Sequence, residues 1–461
     1  MNNIQRVLSS FRDPSGFVFL CDNVIYRQIN YIYKENFETL MTSGLYSELV
    51  KNEYIVPHVE VSKEKLPVLD DYAYKIIKPQ TIPFISYPYE WCFSQLKDAA
   101  LLTLNVHKTA VRYNMALKDC SAYNVKFHKG KPVFIDTLSF EKYTEGPPWK
   151  AYRQFCQHFL SPLALMCFLD ERLNKLSSVF IDGIPVELAH KILPYQSYFN
   201  IPVFLHIHMH SLLGTKHSKN IIDEKLNKKV SRHSHLALIE SLETAVNNLN
   251  VKTVSSNWSE YYNENSYTKK GLEQKTVLVG EYLDKVKPET VWDLGSNDGT
   301  FSRLCAKKGI YTVSADSDYA CVEKNYRECK STGEKNIIPI VMDLVNPSPS
   351  LGWNNSERKS LAERGSCDLV LALALIHHLA ISNNIPFEKI AQFLNEICKY
   401  LVIEFVPKSD PQVERLLKIR KDIFSCYDAD NFEKSFLNYF SIEDKKNIPD
   451  SERVVYLMKK R

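Results

Sequence analysis

One stretch of ten residues decides the fold of the C-terminal half: Val291-Trp292-Asp293-Leu294-Gly295-Ser296-Asn297-Asp298-Gly299-Thr300. It is a buried strand ending in an acid, then a loop with two glycines, then the start of a helix. Gly295 lets the backbone approach a ligand closely, and Gly299 permits close packing as the chain enters the helix. The pattern predicts a nucleotide-type ligand at the carboxyl end of a strand.

The loop lacks the fingerprint of dinucleotide-binding proteins. That fingerprint needs Gly-x-Gly-x-x-Gly, whereas Asn297 replaces the second glycine here and the third is absent at its position. An acid directly before the loop suits a ligand that carries a positive amino group rather than a pyrophosphate. The sequence therefore indicates a ligand that need not be a dinucleotide.

Short apolar strands alternate with helix-competent segments after residue 250. Strands are predicted at residues 291–294, 311–316, 337–342, 368–375 and 401–406. A helix is predicted within residues 386–400, where Phe387, Ile390 and Leu394 fall on one face. Alternation of buried strands with helices predicts an α/β fold with a doubly wound, mostly parallel sheet.

This series of motifs resembles the class I S-adenosylmethionine-dependent methyltransferases. Their first motif, acid-x-Gly-x-x-x-Gly after the first strand, is matched by Asp293, Gly295 and Gly299. In that superfamily an acid at the end of the second strand binds the ribose hydroxyls, and Asp316 has this place. A third acid borders the adenine after the third strand, where Asp343 stands.

The later elements keep the same order. Residues 368–374 resemble the fourth motif and lead into Ile376-His377-His378-Leu379, while residues 440–442 and 454–457 look like the closing antiparallel strand pair. The resemblance covers residues 258–460 and implies S-adenosylmethionine as cofactor. The cofactor-binding residues that it implies are Asp293, Gly295, Asn297, Gly299, Asp316 and Asp343.

Three side chains near the predicted sheet edge are candidates for catalysis of methyl transfer. A neutral imidazole of His377 or His378 would deprotonate a hydroxyl acceptor, and His377 is preferred because it comes first after the strand. The alternative is a helix-start histidine satisfied by the backbone. Glu404 ends the fifth strand and either lines the acceptor pocket or is buried and paired with Lys408.

The expected acceptor is an oxygen of a small molecule, a sugar or a phosphoglycan. A near-neutral chain argues against a duplex nucleic acid, and Ala374-Leu375-Ile376-His377 stands where an Asn-Pro-Pro-Tyr motif for amino methylation would follow the fourth strand. Tyr261, Tyr262 and Tyr267 precede the first strand, where they either close a lid over the cofactor or serve as ordinary packing aromatics.

The first half of the chain carries a second signal. Asp119 stands five residues before Asn124, and Asp136 follows a predicted hairpin. This spacing resembles the protein-kinase and aminoglycoside-kinase superfamily. The resemblance implies an α+β domain that binds Mg-ATP, in which the first Asp orients the attacking hydroxyl and the Asn and second Asp hold magnesium.

Several features depart from that superfamily. No His precedes Asp119, Thr-Leu follows Asp136 instead of Phe-Gly, and Arg27 stands where a phosphate-binding Lys is expected. An extended run at residues 82–89 suits the hinge. Three interpretations stay open: a working kinase in a bifunctional enzyme of surface polysaccharide synthesis, a nonenzymatic recognition module, and a chance match in an unrelated domain.

A basic segment separates the two halves. Residues 214–234 contain six basic and two acidic side chains, which equals the whole excess of 58 Lys and Arg over 54 Asp and Glu. Apolar residues at helical spacing follow it. We therefore predict a kinase-like domain at residues 1–213, a basic linker with a short helix at 214–250, and a methyltransferase domain at 251–461.

The remaining composition indicates a reduced compartment. Eleven cysteines, an odd number, are scattered with no Cys-x-x-Cys pair, which predicts neither a disulfide framework nor a structural zinc site. The longest apolar runs are shorter than the roughly 18 residues of a membrane span, so a cytoplasmic protein is expected. His206, His208 and His210 lack a carboxylate or Cys at ligand spacing, which favours structural or acceptor-recognition roles over a metal.

Overall fold

The computed structural model of this protein describes residues 4–62, 71–212, 229–251, 268–418 and 422–461. The chain divides into two compact units. Unit 1 comprises Met1–Lys252 and Ser350–Arg358, and unit 2 comprises Thr253–Pro349 and Lys359–Arg461. The predicted division into residues 1–213, 214–250 and 251–461 stays a prediction, because most of the predicted basic linker lies outside the described residues.

Unit 1 begins with an antiparallel sheet. Its strands are β1 (Ile4–Arg6), β2 (Gly16–Cys21), β3 (Val24–Asn30), β4 (His58–Val61) and β5 (Ala73–Pro79). They lie in the order β1-β2-β3-β5-β4. The turn between β2 and β3 is formed by Asp22 and Asn23, which both have positive φ. Two helices, α1 (Lys34–Thr42) and α2 (Leu45–Lys51), connect β3 to β4.

A long buried helix, α3 (Phe93–Arg112), follows the sheet along the chain. Residues 82–89 form no strand: the backbone of Tyr87 is extended, but a 3₁₀ turn begins at Pro88. Two small antiparallel ribbons come next, in which β6 (Met115–Leu117) pairs with β9 (Phe140–Lys142) and β7 (Val125–His128) pairs with β8 (Lys131–Phe134).

The described residues between 152 and 248 are mostly helical. The helices are α4 (Tyr152–Phe155), α5 (Ser161–Phe168), α6 (Leu176–Val179), α7 (Val186–Ile192), α8 (Ile201–Val203) and α9 (Arg232–Asn248), with π-helical turns at Cys156–Leu160 and Phe204–Met209. The predicted amphipathic stripe of α9 is buried at Leu242 and Ala245.

Unit 1 also contains Ser350–Arg358, which the chain supplies far downstream. Arg12 holds the buried Glu357 with two hydrogen bonds, from Nε at 3.0 Å and from Nη2 at 2.6 Å. The guanidinium of Arg358 lies 4.1 Å from the ring centroid of Tyr123, within reach of a cation–π attraction. That Ser350–Arg358 belongs to unit 1 was not predicted from the sequence.

Unit 2 is built on one seven-stranded sheet. Its strands are β10 (Thr290–Leu294), β11 (Tyr311–Asp316), β12 (Ile337–Val341), β13 (Cys367–Ala372), β14 (Cys398–Phe405), β15 (Phe440–Asn447) and β16 (Val454–Lys460). They lie in the order β12-β11-β10-β13-β14-β16-β15. The five neighbouring strands β12, β11, β10, β13 and β14 are parallel. Strand β16 pairs antiparallel with both β14 and β15. The predicted mostly parallel sheet and its closing antiparallel pair are confirmed.

Helices cover both faces of this sheet. They are α10 (Lys269–Val286), α11 (Thr300–Lys307), α12 (Tyr319–Thr332), α13 (Phe387–Ile397), α14 (Pro411–Lys418) and α15 (Ala429–Phe436). On one face Val402 belongs to a core cluster with residues of α10 and α11. On the other, Phe405 packs against Phe387 and Phe432. The two faces follow from the two-residue period of a strand.

None of the described helices is both long enough and apolar enough to cross a membrane.

Candidate active site in unit 2

A cleft of about 340 Å³ opens at the carboxyl ends of β10, β11, β12 and β13. Its walls combine acids, loop backbone and apolar side chains. Among the predicted cofactor residues, the lining includes Asp293, Gly295, Asn297, Asp316 and Asp343. Parallel strands bring these positions together because their carboxyl ends share one edge of the sheet.

The glycine loop after β10 shapes the floor of the cleft. Gly295 has φ of +73°, and a Cβ built on it would lie 3.2 Å from Cδ1 of Leu375. Asn297 also has positive φ, and its backbone N–H donates to Oδ2 of Asp316 at 2.7 Å. Gly299 is not among the lining residues; a Cβ there would lie 2.5 Å from the Asn325 side chain. Gly299 therefore serves the packing of α11.

A buried acid, Asp293, and a partly buried acid, Asp316, set the electrostatics of the cleft. Ser302 Oγ donates to Oδ2 of Asp293 at 2.6 Å, and the backbone N–H of Asp318 donates to Oδ1 of Asp316 at 2.9 Å. Burial raises the pKa of Asp293 to about 6 and that of Asp316 to about 6. A raised pKa means that the ionised carboxylates are poorly solvated, so the cleft favours ligands with positive charge or hydroxyl donors.

Asp343 lies two residues beyond the end of β12. One of its carboxylate oxygens, Oδ1, accepts from the backbone N–H of Val345 at 2.9 Å, which fixes the side chain at the rim of the cleft. Ser296 also lines the cleft, and its buried Oγ has no hydrogen-bond partner among the described residues. Such an orphaned hydroxyl calls for a partner outside the protein.

The structure brings His378, rather than His377, to the cleft wall. His377 is fully buried, and both of its ring nitrogens lack a hydrogen-bond partner among the described residues. Burial holds the pKa of His377 well below its usual range and lowers that of His378 to about 4, with the Arg453 charge adding to the second effect. Both imidazoles are therefore neutral at pH 7.

Glu404 lies in a buried charge network beside the cleft. Its Oε2 is 2.6 Å from Lys275 Nζ and accepts from the backbone N–H of Ala374 at 2.8 Å. Its Oε1 is 3.5 Å from Nη1 of Arg453, and Arg453 in turn bonds Asp410. Ala374 lines the cleft in a left-handed conformation. Its hydrogen bond to Glu404 therefore stabilises the turn after β13.

The alternative partner predicted for Glu404 is wrong. Lys408 bonds both carboxylate oxygens of Asp422, at 3.0 and 2.9 Å, so it is engaged away from Glu404. The partner of Glu404 is Lys275 instead, a residue that was not predicted from the sequence. The signal was present in α10, where Lys275 shares a helical stripe with the buried Leu278, Val279 and Tyr282. Tyr261, Tyr262 and Tyr267 lie outside the described residues.

The three residues of unit 1 that the kinase resemblance singles out form two groups. Asp136 pairs with Arg27 at 2.6 Å and accepts from Ser139 Oγ at 2.5 Å. Ser139 Oγ accepts in turn from Asn124 Nδ2 at 3.2 Å, so Asn124 and Asp136 meet on one hydroxyl. Asp119 is held separately, since its Oδ1 accepts from Gln154 Nε2 at 2.8 Å.

Two of the three alternating histidines, His206 and His208, have side-chain hydrogen-bond partners of their own. His206 bonds Tyr152 and Ser241, while His208 bonds His190 and Ser197, each at 2.7–2.9 Å. These contacts give them a structural role in the π-helical turn. In the described parts of the chain, no group of three or more His, Cys, Asp or Glu residues is arranged to hold a metal ion.

Comparison with known proteins gives one full-length relative. Nodulation protein NoeA of Rhizobium meliloti (strain 1021) is 32% identical over 456 residues, which is 98% of this chain and 95% of that protein. The chain belongs to the family of this nodulation protein. No family model matches the sequence.

Solved structures resemble the chain only weakly. The bifunctional kinase-methyltransferase WbdD is 15% identical, with a TM-score of 0.33, over 43% of this chain and 41% of that one. Magnesium protoporphyrin IX methyltransferase (ChlM) from Synechocystis PCC 6803 with bound SAH is 16% identical, with a TM-score of 0.33, over 44% of this chain and 92% of that one.

Proposed function

We propose that unit 2 binds S-adenosylmethionine in its cleft and transfers the methyl group to an oxygen of a small-molecule, sugar or phosphoglycan acceptor. The observation that supports this most is the convergence of Asp293, Asp316 and Asp343 on one cleft. They come from three adjacent parallel strands. Ligands of open α/β sheets bind where the strand order reverses, and the reversal here falls between β10 and β13.

The residues of the cleft fit this cofactor. Asp316 presents a partly buried carboxylate to hydroxyl donors, as a ribose requires. Asp293, whose charge is poorly solvated, suits an amino group. The absence of a side chain at Gly295 leaves room that a Cβ would narrow against Leu375. The orphaned Ser296 hydroxyl supplies a further hydrogen-bonding group.

S-adenosylmethionine supplies an activated methyl group, so the protein need only align the acceptor and exclude water. His378 is the residue placed to contact an acceptor hydroxyl. With a pKa of about 4 it accepts a hydrogen bond at neutral pH but is a weak base. We therefore assign it mainly an orienting role, and turnover at saturating S-adenosylmethionine should show no histidine titration near the usual imidazole pKa of about 6.5.

Binding calorimetry on the full chain tests the cofactor assignment. S-adenosylhomocysteine should bind at one site per chain, and NADH, a dinucleotide, should give no heat of binding. A protein that ignores S-adenosylhomocysteine, or that prefers NADH, would overturn the proposal. Mass spectrometry of metabolites and glycans from cells without the gene would then identify the acceptor as the species lacking one methyl group.

We propose that residues 1–213 of unit 1 form a kinase-like domain. For this domain we favour the function of a recognition module without kinase activity. The sheet order and the meeting of Asn124 and Asp136 support the kinase-like comparison. Against catalysis stands Arg27, whose guanidinium contacts the acid that would hold magnesium. The alternative is a bifunctional kinase–methyltransferase of surface polysaccharide synthesis, in which unit 1 binds Mg-ATP.

Thermal unfolding of the full chain separates these two functions. A ligand of the native state raises the melting temperature by mass action, so Mg-ATP should leave it unchanged if unit 1 only recognises an acceptor. A clear rise with Mg-ATP, lost in Asp136→Asn, would favour the kinase. The eleven free cysteines fit a reduced compartment, and we propose the cytoplasm as the location.

A further inference from the structure

The strand order gives the cleft a direction. Asp343 follows β12 at one side of the sheet edge, Asp316 ends β11, and Asp293 lies in β10. Beyond β10 come β13 and then β14, which carries Glu404. A ligand whose ribose contacts Asp316 must therefore extend its other end past Asp293 toward the side of β14.

Lys275 lies at that far side. It projects from α10, is 3% exposed and lines the cleft. Its Nζ is 2.6 Å from Glu404 Oε2 and 5.0 Å from the ring centroid of Phe301, a second lining residue. A buried ammonium in a ligand cleft is costly and is kept where it meets a negative charge.

Acidic and basic side chains alternate around Lys275. Asp293 acts on it electrostatically from the cleft side, and Glu404 and Arg453 from the interior. Glu404 is engaged by both cations and by the backbone of Ala374. Asp293 and Lys275 both line the cleft, which thus presents a carboxylate and an ammonium, the complement of a ligand that carries an ammonium next to a carboxylate.

We propose that Lys275 binds the carboxylate of the amino-acid end of S-adenosylmethionine, while Asp293 binds its amino group. Glu404 is a positioning residue that holds the Lys275 side chain at the cleft wall. This inference rests on the proposed function. It adds the residue that distinguishes ligands with the amino-acid end from those without it.

The test compares two ligands by calorimetry on the full-length protein. S-adenosylhomocysteine carries the amino-acid end, and 5′-methylthioadenosine shares the adenosine and sulfur but ends in a methyl group. Lys275→Met should weaken S-adenosylhomocysteine about ten- to hundredfold, the range of a lost charge-assisted hydrogen bond. It should change 5′-methylthioadenosine binding less than about threefold, since that ligand has no carboxylate for Lys275 to bind.

Matched variants guard against a folding defect. Lys270→Met makes the same change at an exposed position of α10 and should alter neither affinity. Lys275→Met with Glu404→Gln removes both charges of the pair, which avoids an unpaired buried acid, and should show the same selective loss. Glu404→Gln alone keeps the ammonium and should keep the preference for S-adenosylhomocysteine.

Two outcomes overturn the inference in distinguishable ways. If Lys275→Met weakens both ligands equally, Lys275 has a structural role and the cofactor assignment stands. If the wild type binds neither ligand, the proposed function fails and the inference fails with it.

Discussion

The acid clusters of the two units differ in how their negative charge is compensated. In unit 2, Asp293 and Asp316 face a cleft, and burial raises the pKa of each to about 6. In unit 1, Asp136 lies 2.6 Å from the Arg27 guanidinium, and Asp13 lies 3.7 Å from the same group. The first cluster gains from a ligand that supplies donors or positive charge. The second already contains its cation.

This difference explains how similar sequence signals come to mean different things. An acid at a strand end or in a turn indicates a site only if its charge is left for a ligand to satisfy. Asp316 meets that condition, because its hydrogen bonds come from backbone N–H groups of its own loops. Asp136 does not, because an arginine from β3 neutralises it.

The largest expected effect comes from deleting the carboxylate that faces the ribose. Asp316→Ala should weaken S-adenosylhomocysteine by about ten- to hundredfold, since charge-assisted hydrogen bonds contribute roughly 1.5–3 kcal/mol. Calorimetry measures this directly. Asp284→Ala, a change at an exposed acid of α10 paired with Lys308, is the control. Equal affinities for the Asp316 variant and the wild type would remove Asp316 from the site.

The second prediction concerns the stability cost of an unsatisfied cleft. Asp293 binds protons more tightly when folded, so its ionisation destabilises the ligand-free fold as pH rises from about 4 to about 6. Asp293→Asn should therefore be more stable than the wild type by about 3 kcal/mol at pH 8 and nearly equal to it near pH 4. Denaturant unfolding at the two pH values measures the difference. A gain that does not depend on pH contradicts this account.

The third prediction concerns a variant in which the acids of unit 1 lose their cation and so come to resemble the acids of unit 2. Arg27→Gln leaves Asp136 without its cation and should destabilise unit 1 by about 1–2 kcal/mol, because both side chains are mostly buried. Magnesium chloride should then recover part of the lost melting temperature. Arg27→Lys, which keeps the charge, should lose less. If magnesium stabilises the wild type as much as the variant, Arg27 does not shield these acids.

The smallest expected effect concerns the contact between Arg12 and Glu357. Glu357 is buried, but the Arg12 side chain is 56% exposed, so solvent weakens the pair. A double-mutant cycle with Arg12→Met and Glu357→Gln should give a coupling of about 0.5–1 kcal/mol in urea unfolding. A coupling near zero would mean that other contacts, such as that of Arg358 with Tyr123, retain Ser350–Arg358 in unit 1.

Local pattern was enough to predict the C-terminal cleft. Strand-end acids such as Asp316 reach a common edge whenever the strands are parallel, and strand periodicity is visible in the sequence. The closing strand pair was predicted for the same reason. In unit 1 the turn at Asp22 and Asn23 and the helix α3 also follow from short-range signals.

Long-range pairing accounts for what the sequence did not show. Lys275 and Glu404 are 129 positions apart, and the helical stripe that marks Lys275 as buried does not show which acid it contacts. The choice between His377 and His378 depends on the left-handed turn at Ala374, which rotates the following residues. Alanine rarely adopts such a backbone, so the sequence gives no warning of it.

The return of Ser350–Arg358 to unit 1 has a consequence for synthesis. The ribosome completes residue 252 well before residue 358, and at ordinary elongation rates the interval is about 5–20 s. During that time the partner of Arg12 does not yet exist, and the face of Tyr123 has no guanidinium over it. The N-terminal unit must therefore wait for residues encoded between β12 and β13. Domain-by-domain folding in order of emergence cannot finish unit 1 in this protein.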